Sequence, residues 1–340
     1  MASRGPDLTV AVTGPTGTFG FGLVPMLQAD ARVRRIVGIA RRPFDPAAHG
    51  WTKMEYRRGD VRDPEELARA FAGADVVVHL AFHLTGTSDR QTIRAINVQG
   101  TINAFAAAVA AGAKRFVYAS SVAVYGFAAD NPAVMTEEWP ARPAEHLFYA
   151  REKAEIEALL GETAAEHPRI DLYVLRPSAV LGPNSVGAKS FLPAALEPLA
   201  KRLASLASLA LRLPLPVPAL VAPLPLQFVH ERDVGEALAL CVHGAGPPGA
   251  YNLAGDGVLT AIDVARELGF VPLSVPSGPV QAGARLLAGL PFAPPQMGWA
   301  EAIARPAIMD TAKARRELGW RPRYTGLEAL RDTLRAQREA

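Results

Sequence analysis

Short apolar runs alternate with amphipathic stretches along the first half of the chain. Leu8–Thr13, Arg35–Ala40, Met54–Arg58, Asp75–Leu80, Arg115–Ala119 and Leu172–Leu175 are strand-like runs, several of them rich in valine and isoleucine. Near-continuous apolar runs of this length suit strands covered on both faces. Between them, Glu65–Phe71, Gln91–Ala111 and Glu145–Ala165 read as helices. The alternation predicts an α/β fold, a Rossmann-type doubly wound parallel sheet with helices on both faces. After Pro177 the pattern loosens and prolines become frequent, so a smaller, partly helical C-terminal region is expected to begin there. Gln227–Val242 reads as a return to the main sheet, and an amphipathic helix from Gly326 to about Gln337 is expected to pack on the body.

The first strand runs into Gly14-Pro15-Thr16-Gly17-Thr18-Phe19-Gly20, glycines at G-x-x-G-x-x-G spacing before a helical stretch. Glycine permits a sharp turn and close approach of a ligand, and the free N–H groups of the first helical turn then face a pyrophosphate. Gly14, Thr16, Gly17, Thr18, Phe19 and Gly20 are therefore expected cofactor contacts. In such folds the second strand ends at the adenosine ribose, where an acid selects NAD. Here Ala40 takes that place and Arg41-Arg42 follow. Guanidinium groups pair with a phosphate through two parallel hydrogen bonds, so the pattern favours NADP over NAD. Asp60 and Val61, after the third strand, are expected beside the adenine, and Leu80-Ala81-Phe82 along the cofactor channel. Residues 1–177 thus form the expected dinucleotide-binding domain, with 227–252 returning to it. Residues 178–226 and 253–340 form the expected substrate-binding region.

Composition narrows the alternatives. The chain has 340 residues, 49% of them hydrophobic and 20% charged, with a formal net charge of +3. The arginines are scattered rather than massed, which argues against a nucleic-acid face. A single cysteine, Cys241, excludes an internal disulfide or a cysteine-based zinc site, and it reads as a small buried apolar residue. His79, His83, His230 and His243 lack metal-like spacing with carboxylates, so no metal is assigned. The N-terminus has no signal-peptide core, which favours the cytoplasm. The apolar stretch 191–228 contains Arg212 and five prolines between Pro214 and Pro225, so it reads as pocket wall or core rather than a membrane span.

Tyr149-Ala150-Arg151-Glu152-Lys153 places a phenol and an ammonium on one helix face. An ammonium beside a phenol favours phenolate and is expected to lower its pKa toward working pH. Such a tyrosine can exchange a proton with a hydroxyl while hydride moves to or from a nicotinamide. Ser120-Ser121 follow the fifth strand and can offer a hydroxyl to the same oxygen.

With these pieces the chain resembles an extended short-chain dehydrogenase/reductase, of the NAD-dependent epimerase/dehydratase family. The likeness also rests on His79-Leu80-Ala81, Asn97-Val98-Gln99-Gly100-Thr101, Leu175-Arg176-Pro177, Leu181-Gly182-Pro183, Phe228-Val229-His230 with Asp233, and Asp310 through Trp320. It implies pyrophosphate contacts from Gly17, Thr18 and Phe19, and an adenine contact from Asp60 and Val61. It implies a supporting role for Asn97, the substrate oxygen at Ser121 rather than Ser120, proton transfer at Tyr149, and Lys153 serving both Tyr149 and the nicotinamide ribose. Ala119 and Pro177, at strand ends, complete the expected cofactor contacts. The resemblance also implies a homodimer through the helices 91–111 and 145–165.

Three departures bear on the reaction. Ser121-Val122-Ala123 stands where sugar-nucleotide 4,6-dehydratases carry Thr-Asp-Glu, so water elimination is disfavoured. Ala179 and Leu226 stand where UDP-sugar epimerases use Asn and Arg to hold a diphosphate. Arg305 is a candidate anion contact, and Met297 and Trp299 are candidate pocket residues. The expected activity is an NAD(P)-dependent interconversion of a secondary alcohol and a ketone on an apolar small molecule. The alternatives are a nucleotide-sugar 4-epimerase and a non-catalytic NADP-binding regulator.

Overall fold

The computed structural model describes residues 8–83, 89–128, 130–145, 147–185, 217–279 and 307–339. Its centre is a parallel sheet of β1 (Leu8–Thr13), β2 (Val33–Ala40), β3 (Met54–Arg58), β4 (Val76–His79), β5 (Arg115–Ala119), β6 (Asp171–Pro177) and a seventh strand. Smaller pairings are made by β7 (Ala179–Leu181), β8 (Val217–Val221), β9 (Pro225–Leu226) and β10 (Phe228–His230). The seventh strand of the main sheet is β11 (Gly249–Leu253), and β12 (Leu259–Thr260) and β13 (Phe270–Ser274) complete the strands described. The order across the sheet is β11-β6-β5-β4-β1-β2-β3, so the chain reverses direction across the sheet beside β1. A crevice forms at such a switch point, outside the carboxyl ends of the strands.

The helices are α1 (Thr18–Ala29), α2 (Pro64–Phe71), α3 (Arg90–Arg94), α4 (Gly100–Ala110), α5 (Phe148–Glu166), α6 (Glu231–Val242), α7 (Ala261–Glu267) and α8 (Gly326–Glu339). Strand side chains alternate between two core layers. Val10 and Val12 of β1 meet Leu23 and Leu27 of α1 and Leu238 and Val242 of α6. Ala11, one position away, faces Leu67, Phe105 and Ile156 of α2, α4 and α5 on the other side. Two glycines let α1 and α6 touch: a Cβ on Gly22 would lie 2.2 Å from the Glu231 carbonyl oxygen, and one on Gly235 2.2 Å from that of Gly22.

Two expectations change, and a third gains a detail. Phe228–His230 does not rejoin the main sheet but pairs with Ala179–Leu181; the return is made by Gly249–Leu253 against β6. The stretch 91–111 is helical throughout, as expected, but its middle turn, Ala95–Gln99, is π-helical and joins α3 to α4. The third helix begins at Phe148 rather than Glu145. Cys241 is fully buried in α6, as its apolar reading predicts. Arg212, Met297, Trp299, Arg305 and most of the apolar stretch after 191 lie outside the described residues. Among the described residues no helix is long and apolar enough to cross a membrane.

Candidate active site

The turn after β1 is shaped by backbone contacts. Gly14 has φ of +66°, and a Cβ there would come within 3.0 Å of Ala81 Cα, so this position demands glycine. Thr13 joins β1 to β4: its Oγ1 accepts from Leu80 N and Ala81 N at 3.1 Å each and contacts His79 Nδ1 at 2.9 Å. The other ring nitrogen of His79 lies 3.1 Å from Thr101 Oγ1, which donates to the Asn97 carbonyl at 2.5 Å. Burial lowers the His79 pKa to about 3, so the ring is neutral. Two N–H groups already donate to Thr13 Oγ1, so its proton goes to Nδ1 and His79 carries its own proton on Nε2.

Gly17 is the N-cap of α1, with no side-chain cap and no acidic residue in the first turn. Gly20 packs so closely that a Cβ would lie 2.0 Å from the Pro15 carbonyl oxygen. Unfilled N–H groups and the positive end of the helix dipole suit an anion at this point. This cradle fits a dinucleotide pyrophosphate. Thr18 is drawn the other way, its Oγ1 donating to the Asn184 carbonyl at 2.9 Å. Thr16 and Phe19 are partly buried on the same turn.

Arg41 and Arg42 are exposed at the end of β2. Their carbonyls accept from Arg58 Nε and the Tyr56 hydroxyl, while neither guanidinium forms an ion pair among the described residues. Asp60 is bound to Arg62 at 2.7 Å; burial opposes its charge, but the Arg62 hydrogen bonds prevail and hold its pKa below the usual value. Val61 is buried, and a Cβ on Gly100 would lie 2.5 Å from its side chain. Its side chain is therefore packed into the core layer at the start of α4.

Ser121, Tyr149 and Lys153 converge at the end of β5. Ser121 shares a hydrogen bond with the Tyr149 hydroxyl and accepts from Ala123 N at 3.2 Å. Ser120 points elsewhere, to the Glu157 carboxylate. Lys153 Nζ donates to the Ala119 carbonyl at 2.6 Å and to the Tyr118 hydroxyl at 3.1 Å, and lies 3.9 Å from the Phe82 ring centroid. The Phe82 ring also meets Tyr149 edge-on at a centroid separation of 5.5 Å.

Here the expected electrostatics reverse. Burial raises the Tyr149 pKa, and only the Ser121 hydrogen bond pulls it back. Burial lowers the Lys153 pKa to about 7 against the pull of Glu157 and Glu152. The ammonium is committed to a carbonyl, a second phenol and an aromatic face, so desolvation outweighs its field at Tyr149.

A buried polar network fixes this cluster. Asn97, on the π-helical turn, accepts from His83 N at 2.7 Å and donates to the His83 carbonyl at 3.1 Å and to Glu152 at 2.7 Å. Arg176 of β6 binds Glu157 at 2.5 Å and the Tyr125 hydroxyl at 2.8 Å. Tyr125 bonds Asn252 of β11 at 2.7 Å, and the Asn252 N–H donates to Glu137 at 2.8 Å. Glu137, in the loop before α5, thus ties that loop to the backbone of β11. Pro177 is buried where β6 pairs with Leu253. Tyr118, Glu157 and the Asn97–Glu152 bond escaped the sequence reading. Glu157 carries one usable signal, its position one helical turn beyond Lys153.

The fold and site define an extended short-chain dehydrogenase/reductase. The profile of the NAD dependent epimerase/dehydratase family matches residues 10–254, and the chain belongs to that family. An N-acetyl-alpha-D-glucosaminyl-diphospho-ditrans,octacis-undecaprenol 4-epimerase of Escherichia coli O157:H7 is 38% identical over 180 residues, 52% of this chain and 50% of that one. Sterol demethylase protein B of Methylococcus capsulatus is 33% identical over 180 residues, 52% of each chain. Among solved structures, the dTDP-glucose 4,6-dehydratase DesIV of Streptomyces venezuelae, solved with NAD, superimposes with a TM-score of 0.71 at 22% identity, covering 98% of this chain and 97% of that one.

Proposed function

We propose that the protein is an NADP-preferring dehydrogenase or ketoreductase acting on a secondary alcohol/ketone pair of an apolar small molecule. The carrying observation is the Ser121–Tyr149 hydroxyl pair one helical turn from a buried Lys153. When bound, the nicotinamide ring supplies or accepts the hydride. Gly17, Thr18 and Phe19 would hold the pyrophosphate, while Arg41 and Arg42 would hold the adenosine phosphate. Ser121 holds the substrate oxygen. Tyr149, kept protonated by burial, would pass its proton to that oxygen as the carbonyl is reduced, and Lys153, one helical turn on, would hold the nicotinamide ribose.

The apolar substrate class is supported by Ala179 and Leu226, which remove two diphosphate partners, and by the partial likeness to a sterol demethylase protein. The 38% likeness to a lipid-linked sugar epimerase favours a second reading, a 4-epimerase using the same three residues. The protein is read as a cytoplasmic homodimer pairing through α4 and α5. The test follows nicotinamide absorbance with NADPH and NADH across apolar ketones, sterones included. NADPH consumption that vanishes in Tyr149→Phe supports the reading. Tight retention of nicotinamide with sugar-nucleotide turnover and no net NADPH consumption supports the epimerase. Dinucleotide binding that Tyr149→Phe leaves intact, with no turnover on either panel, supports a regulator.

A further inference from the structure

We infer that Phe82 is a positioning residue, whose one ring holds the Lys153 ammonium and the Tyr149 phenol in register and keeps water off the ammonium. The inference rests on the Tyr149–Lys153 reading above and adds to it a residue from a third element. The Phe82 centroid lies 3.9 Å from Lys153 Nζ. The same ring meets the Tyr149 ring at 5.5 Å with an interplanar angle of 87°. An ammonium over an aromatic face and an edge-to-face ring pair are both attractive arrangements. Ser121 bonds the phenol and Tyr118 bonds the ammonium, but Phe82 touches both. Its backbone is fixed on either side. Before it, Leu80 N and Ala81 N donate to Thr13 Oγ1, and a Cβ on Gly14 would come within 3.0 Å of Ala81 Cα. After it, Asn97 binds both backbone polar groups of His83, at 2.7 and 3.1 Å. The ring packs against the layer that holds Phe105 and Ile156. A segment clamped at both ends thus presents the ring at a fixed place.

The ring acts on the ammonium in two opposed ways. Its quadrupole attracts the cation and favours the charged form, while its apolar bulk excludes water and favours the neutral one. The other groups facing Lys153 come from three elements: Tyr149, Glu152 and Glu157 on α5, Tyr118 on β5 and His79 on β4. Burial holds His79, Tyr118 and Tyr149 uncharged. Glu157 is itself bound by Arg176 of β6, and Glu152 by the Asn97 amide. Burial brings the Lys153 pKa down to about 7, and the two carboxylates pull the other way. The attraction and the exclusion of water by Phe82 are therefore separable by what replaces the ring.

The test is a carbon NMR titration of the lysine Cε resonances of the full chain, from about pH 5 to about pH 10. Lys153 is assigned by the resonance missing in Lys153→Met. Wild type should titrate at about 7. Phe82→Leu keeps the apolar cover and loses the aromatic face, so the acidity constant of Lys153 should rise about three- to tenfold. Phe82→Ala also admits water, so the constant should fall about tenfold or more. Phe82→Tyr restores the face and should stay within about twofold of wild type. Loosened packing alone would move both truncations the same way. Opposite shifts in Phe82→Leu and Phe82→Ala, with Phe82→Tyr following wild type, support the inference, and any other pattern overturns it. The titration needs no substrate. If Tyr149→Phe abolishes turnover and the Phe82 variants leave Lys153 titrating as in wild type, this inference alone fails. If the opposite shifts are seen and no ketone is turned over, the functional reading fails and the ring's hold on the ammonium stands.

Discussion

At the end of β2, Arg41 and Arg42 stand exposed, with no carboxylate paired to either guanidinium among the described residues. At the end of β5, Lys153 is buried, bonded to Ala119 and Tyr118 and capped by Phe82. Both places set cations at carboxyl ends of strands of the main sheet, yet solvent treats them oppositely. Exposed guanidinium groups keep their charge at little cost and attract an anion. The buried ammonium is held near neutrality, with a pKa lowered to about 7. Charge for binding is kept at the surface, and proton-sensitive groups are kept inside, where burial sets their pKa values.

The comparison is broken hardest at its buried end. Tyr149→Phe removes the one hydroxyl bonded to Ser121 and is expected to cut turnover by roughly 10²–10⁴-fold. Dinucleotide affinity, measured by fluorescence titration, should stay within about threefold, because the proposed pyrophosphate contacts lie on the glycine turn. Turnover unchanged in this variant would place the proton elsewhere.

Lys153→Met tests the energetic half of the contrast. The folded pKa of Lys153 is lowered from 10.5 to about 7, so between these values the unfolded chain holds the extra proton. Wild-type stability therefore rises as pH climbs from about 7 toward about 10.5, and below pH 7 the burial cost is fully present. The apolar variant should be more stable than wild type by about 3 kcal/mol near pH 6, with the advantage fading above pH 9. Urea denaturation at the two pH values measures it. A pH-independent difference would mean that the ammonium is not desolvated.

The exposed end gives smaller effects. Arg41→Ala with Arg42→Ala is expected to weaken NADP about 10–100-fold and leave NAD within about twofold, with the loss shrinking as salt is added. Equal affinity of wild type for both dinucleotides would remove the reason for reading these arginines as a phosphate site.

The two ends also differ in how far the residues alone announced them. The glycine turn was legible because each of its requirements is local: a positive φ at Gly14, an open N-cap at Gly17 and close packing at Gly20 are properties of neighbouring positions. The strands read well for the same reason, with β1, β3 and β5 matching the apolar runs. The convergence of Ser121, Tyr149 and Lys153 was readable only through a motif resemblance, since it joins a strand end to a distant helix. What escaped was long-range and energetic. Nothing in the run Arg115–Ala119 distinguishes Tyr118 as the acceptor for Lys153, and spacing alone cannot reveal that burial would reverse the expected pKa order. The π-helical turn within 91–111 was likewise hidden: it carries Asn97, whose partners His83 and Glu152 belong to other elements.

The finest distinction lies within one dipeptide. Ser120 and Ser121 are adjacent hydroxyls with opposite duties: one turned inward to Glu157, the other bonded to Tyr149. Glu157 keeps its Arg176 partner at 2.5 Å when Ser120 is removed, so Ser120→Ala leaves no carboxylate stranded. The expected loss is about 1 kcal/mol of stability, the net worth of one hydrogen bond, with turnover reduced less than about tenfold. Ser121→Ala should show the inverse pattern, little change in the urea midpoint and a far larger fall in turnover, because the lost hydroxyl is the one proposed to hold the substrate oxygen. Its loss should also raise the Tyr149 pKa further, since that hydrogen bond is what pulls it down. The alkaline limb of the pH profile for reduction should then move upward in Ser121→Ala and stay in place in Ser120→Ala. If the two variants exchange these signatures, the hydroxyl at the reacting end is that of Ser120, and the turn after β5 presents the opposite face to the cleft.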